Sequence, residues 1–109
     1  MAVNQELVRR VRASLGPRPG LTEKTMFGGV GFMLNGNMAC GVHGQDLIVR
    51  LTPAQAAAAL AQPDVRVFDM TGRPMKGWIL VGPAGWATDE ELAAWLAQGV
   101  AVAQSLPAK

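Results

Sequence analysis

A chain of 109 residues, half of them hydrophobic, 17% charged and with a formal net charge of +2, is sized and composed for one small folded domain over residues 1–109. That composition excludes a multidomain enzyme, and it excludes a disordered chain, which low hydrophobicity and high net charge would hold open. The single cysteine, Cys40, rules out an internal disulfide and a four-thiolate metal site within one chain, so a reducing, cytoplasmic location is expected.

Along the chain, the first twelve residues carry Glu6 and three arginines instead of an apolar signal core, and the longest uninterrupted apolar run, residues 56–61, falls far short of the ~18 residues of a membrane span. Neither export nor membrane insertion is expected. Leu7, Val8, Val11 and Leu15 share one helical stripe, which predicts a helix over residues 4–15 that opens on Asn4 as its cap. Two prolines in residues 16–20 stop it, because proline lacks the amide donor and its ring clashes with the preceding turn.

From Lys24 to Leu51 the pattern changes to three strands. Asn35-Gly36 is a two-residue hairpin signal that sets Leu34 opposite Asn37 and Met33 opposite Met38. A second hairpin around Gly44-Gln45 sets His43 opposite Asp46 and Cys40 opposite Val49. Strict alternation through both hairpins gives one apolar face of Phe27, Gly29, Gly31, Met33, Met38, Cys40, Val42, Leu47, Val49 and Leu51, which is expected to be the core. The other face collects Met26, Val30, Phe32, Leu34, Asn37, Ala39, His43, Asp46, Ile48 and Arg50, more apolar in its middle than a solvated face requires. Thr52, Pro53 and Gln55 form a capping box ahead of an alanine-rich helix that ends near Gln62. Residues 65–68 and 78–81 read as strands four and five. Thr88 and Glu91 cap a last helix with Leu92, Trp95, Leu96, Gly99, Ala103 and Leu106 on one stripe. The element order is then α-β-β-β-α-β-β-α, a two-layer α+β domain with a five-stranded antiparallel sheet and helices on one face.

Chemistry is sparse in this sequence. Cys40 and His43 have a C-x-x-H spacing, but residues three apart on a strand point to opposite faces, and a thiol in an apolar core lacks the cationic setting that makes a thiolate. No catalytic set, metal site or cofactor site is expected, and no enzymatic activity. Gly28-Gly29-Val30-Gly31 runs into a hairpin, not a helix, so it reads as space for close packing or a bulge and not as a phosphate cradle. The loop ahead of Trp78 combines Arg73, Pro74, Met75 and Lys76; with the arginines of the first helix, Arg9, Arg10 and Arg12, it offers a thin footprint for nucleic acid.

Four segments together, Met26-Phe27-Gly28-Gly29-Val30-Gly31-Phe32, Asn35-Gly36-Asn37-Met38, Leu47-Ile48-Val49-Arg50 and Gly72-Arg73-Pro74-Met75-Lys76-Gly77-Trp78, resemble the TfoX N-terminal domain family, also called TfoX/Sxy. The resemblance implies a compact α+β fold similar to secretion chaperones and supplies no catalytic residues. In the competence regulators of that family a second, C-terminal domain follows, and the pair regulates genes for natural DNA transformation. Here the sequence ends at Lys109, so a stand-alone regulatory or interaction module is expected. Its partner-binding candidates are Val30, Phe32 and Ile48 on the outer sheet face, and Arg73, Pro74, Met75, Lys76 and Trp78 around the loop. The expected partner is a protein or a second copy of the chain, as a homodimer, with weak nucleic-acid binding through Arg73 and Lys76 as the alternative.

Overall fold

A computed structural model describes residues 3–26, 28–68 and 77–107. The first helix, α1 (Gln5–Leu15), starts where expected, with the Leu7 N–H donating to the Asn4 side-chain oxygen at 3.0 Å, and it stops at Gly16, whose φ of +63° turns the chain out of the helix. Four strands follow, β1 (Leu21–Met26), β2 (Gly29–Leu34), β3 (Asn37–His43) and β4 (Asp46–Arg50). The alanine-rich helix α2 (Pro53–Ala59) has the full capping box of Thr52 and Gln55, then tightens into turns that reach Gln62. Strands β5 (Val65–Val67) and β6 (Trp78–Val81) and a short 3₁₀ turn at Pro83–Gly85 lead to α3 (Asp89–Gln104), capped reciprocally by Thr88 and Glu91.

The described strands form one antiparallel sheet of six strands, ordered β1-β2-β3-β4-β6-β5, where five were expected. The added strand comes from a reversal between Met26 and Gly29. Gly28 holds a φ of +74° there, and the stretch from Lys24 to Leu34, read as one strand, folds back on itself as the β1–β2 hairpin. Phe27, expected in the core, lies outside the described residues. The helices pack on one face of the sheet, as expected.

Both later hairpins keep their expected pairs, Leu34 with Asn37, Met33 with Met38, Cys40 with Val49 and His43 with Asp46. Between them the register slips. Phe32 pairs with Cys40 while Met33 pairs with Met38, so β3 holds one extra residue, Ala39, in a β-bulge. Since side chains alternate with a period of two, one inserted residue reverses every assignment on its far side. Val30, Phe32 and Leu34 therefore face the helices, with Phe32 at 0% exposure, while Met33 and Met38 face the other way. Asn37 and Ala39 are also buried, the Asn37 amide donating to the Pro107 carbonyl at 2.9 Å. On the Cys40 side of the bulge the expected core face stands: Cys40, Val42, Leu47, Val49 and Leu51 are all buried.

The main core is closed by Leu7, Val8, Val11 and Leu15 of α1, Ala56 and Ala59 of α2, and Leu92, Trp95, Leu96 and Val100 of α3. Each large aliphatic side chain removed from water here contributes about 1.5–3 kcal/mol. Gly99 lets α3 lie directly on the bulge, since a Cβ at that position would come within 2.3 Å of the Ala39 carbonyl oxygen. The two buried indoles keep their N–H groups bonded, Trp86 to the Gln45 carbonyl at 3.2 Å and Trp95 to the Gly85 carbonyl at 3.0 Å. Among the described residues no helix is long and apolar enough to cross a membrane.

Candidate interaction surface

A second apolar cluster lies on the sheet face opposite the helices. Ile48 of β4 and Leu80 of β6 are directly paired in register and form its centre, with Phe68, just past β5, beside them. Met38 and Trp78 pack against this centre from either side and are themselves half-buried. The Phe68 and Trp78 rings meet at 6.0 Å between centroids with planes 58° apart, the tilted geometry that aromatic pairs favour. From the end of β4, the Arg50 guanidinium lies 5.0 Å from the ring centroid of its register partner Trp78, a cation–π contact that holds the indole and the charge together.

This arrangement brings together Ile48, expected on the outer sheet face, and Trp78, expected beside the loop, and does not include the other candidates. Val30 and Phe32 belong to the main core, because the bulge turns β2 over, so they cannot form an outer patch. Arg73, Pro74, Met75 and Lys76 lie outside the described residues. Sequence reasoning did not single out Met38, Leu80, Phe68 and Arg50 as site residues. The signal for Leu80 and Phe68 was present in the β5 and β6 alternation, since both fall out of phase with the buried Val65, Ile79 and Val81.

The remaining chemistry-bearing residues are kept apart. Cys40 is buried among apolar neighbours, and that burial pushes its thiol up to about 12. It is therefore a protonated thiol at neutral pH, on the opposite side of the sheet from His43 and Asp46. Among the described residues no group of three His, Cys, Asp or Glu side chains could hold a metal ion. Gly29 is a site of close backbone approach, a Cβ there falling 2.2 Å from the Val42 carbonyl oxygen, which accounts for a glycine at the start of β2 without any ligand.

Positive charge on α1 is tied up locally. Arg9 bonds Glu6, Arg12 makes two bonds to Glu23 at 2.7 and 2.8 Å, and Arg10 reaches Asp89 at 3.0 Å and the Ala87 carbonyl at 3.2 Å while lying over Trp86. The hydrogen bond from Arg9 holds the Glu6 carboxyl below its ordinary range, and the hydrogen bond from Arg12 does the same for Glu23. The helix thus presents paired charges where a nucleic-acid footprint needs free ones.

Compared with known families, the chain matches the TfoX N-terminal domain over residues 13–103. No curated protein and no solved structure matches it.

Proposed function

Because the chain belongs to the TfoX N-terminal domain family, we propose that it is a non-enzymatic, cytoplasmic regulatory module that binds a protein partner through the sheet face centred on Trp78. The observation that carries this reading is the second apolar cluster: Ile48, Leu80 and Phe68 on the face away from the helices, bordered by half-buried Trp78 and Met38, with Arg50 stacked on the indole. Tryptophan and arginine over a small apolar centre are the side chains that most often dominate binding energy at protein interfaces. The family connection favours a regulatory process related to competence for DNA transformation. The protonated Cys40 thiol, buried away from His43, supports the non-enzymatic part of the reading.

The alternative is weak nucleic-acid binding through Arg73 and Lys76, and α1 lends it no support, because its arginines are already paired with carboxylates. Affinity capture from source cells, with and without nuclease, separates the two. The proposal expects a protein recovered under both conditions and lost with Trp78→Ala, the substitution lowering affinity about tenfold or more. Recovery that collapses with nuclease would replace this reading with the nucleic-acid one.

A further inference from the structure

The sheet ends in two unequal edges. β1 is guarded as edge strands ordinarily are, with Thr22, Glu23, Lys24 and Thr25 all exposed along it. β5, at the other end, is three residues long, and its one charge is drawn inward: the Arg66 guanidinium bonds Asp46 on β4, across the width of β6. Its ladder bonds reveal which backbone groups face out. The Phe68 N–H donates to the Trp78 carbonyl at 3.4 Å and the Gly82 N–H to the Asp64 carbonyl at 2.7 Å. By antiparallel alternation residues 64, 66 and 68 turn their peptide groups toward β6, and Val65 and Val67 turn theirs to the open edge. The Val65 N–H is taken by the Gln62 carbonyl at 3.2 Å, so Val67 is the β5 residue that presents both an N–H and a C=O outward.

Apolar surface gathers at the same end. Val67 is 37% exposed and Leu60, at the cap of α2 just before β5, is 39% exposed; these are the large hydrophobic side chains left exposed among the described residues. Among the described residues this edge has no outward charge and no partner for the Val67 peptide groups, and with aliphatic side chains exposed beside it such an edge is a template for strand addition.

We propose that two copies of the chain join at this edge, β5 pairing antiparallel with β5 of the second copy about a two-fold axis between the two Val67 residues. The occupant is a second copy because the edge is self-complementary: a residue with both N–H and C=O outward forms a reciprocal pair of hydrogen bonds with itself across a two-fold axis. Charge selects the same register. Centring on Val67 sets Arg66 opposite Phe68 of the second copy, whereas centring on Arg66 sets two arginines face to face, which is destabilising. The axis runs perpendicular to the sheet, so both helix layers lie on one side, where Val67, on the same face as Ile79, meets its copy at the seam. The seam adjoins the Trp78 face at Phe68, but it is carried by the β5 backbone and not by the indole, so neither reading depends on the other.

Sedimentation equilibrium on the full chain tests the proposal. Wild type is expected to dimerise. Val67→Pro removes the outward N–H without touching a bond to β6, and Val67→Lys places a charge on the seam; each is expected to raise the dissociation constant about tenfold or more while circular dichroism stays unchanged. Paired Val67 Cα atoms would stand about 5.5 Å apart, within disulfide range, so Val67→Cys should cross-link on mild oxidation while Thr25→Cys on the β1 edge should not. Should the proline variant misfold, the lysine variant and the cross-link decide. A chain that stays monomeric at all concentrations, a dimer indifferent to Val67→Lys, or cross-linking at Thr25→Cys instead of Val67→Cys would overturn the proposal.

Discussion

Cys40 lies in the main core, and the cost of a buried thiolate raises its thiol to about 12. The unfolded chain releases that proton at its ordinary, lower pKa, so above about pH 9 the unfolded state holds fewer protons than the folded one and stability falls as pH rises toward 12, by up to ~1.4 kcal/mol per pH unit. Urea melts of wild type and Cys40→Ala across pH 8 to 11 should show a steeper alkaline loss in wild type; parallel curves would mean the thiol titrates normally. The folded protein should also react with a thiol reagent only at its unfolding rate. Phe32 is the clearest case of a side chain whose environment differs from the one its alternation suggests. Phe32→Ala is expected to cost about 3–5 kcal/mol in denaturant melts, where a surface phenylalanine would cost almost nothing.

At the scale of elements, the bulge at Ala39 and helix α3 act as one unit. A methyl group at Gly99 would meet the Ala39 carbonyl oxygen, a backbone atom that cannot rotate aside, so Gly99→Ala should lift α3 off the sheet. Overpacking of this kind costs about 1–3 kcal/mol, opposed by up to ~1 kcal/mol of helix propensity gained, and a lower urea midpoint is the expected net result. Thr88→Ala, which removes the α3 cap, should cost about 1 kcal/mol by the same measurement. These elements also show what the sequence could and could not disclose. Caps and tight turns are local events with residue signatures: Asn4, Thr52-Pro53-Gln55, Thr88-Glu91 and Asn35-Gly36 all did what their chemistry implied. The bulge has no such signature, since its extra residue is an ordinary alanine, and its register depends on α3 lying across it, a contact between residues sixty positions apart. Gly28 carried a turn signal, but it sat in an apolar run long enough to pass for a single strand.

For the molecule as a whole, the two faces of the sheet carry separate apolar clusters. Three helices cover one face, so its apolar residues explain stability; on the other face Ile48, Leu80 and Phe68 are themselves buried, and the half-buried Trp78, Met38 and Arg50 around them are the side chains that the proposal assigns to a partner. Ile48 was legible on this face because β4 lies beyond the bulge, where alternation holds, whereas Trp78 was singled out with the loop before it and joins this face only through the pairing of β6 with β4. Val30 and Phe32 lie before it and were not. Net charge does not say where charge is free: Glu6, Glu23 and Asp89 offset the α1 arginines in place, and a pairing such as Arg10 with Asp89 exists only in the folded chain.

The most direct measurement is a residue-resolved NMR titration of the chain with the protein recovered by affinity capture. The amide shifts of Met38, Ile48, Arg50, Trp78 and Leu80 are expected to move together and saturate, while those of α1 and α3 stay in place. Shifts concentrated on α1 and α3, with the Trp78 face unmoved, would contradict binding through that face.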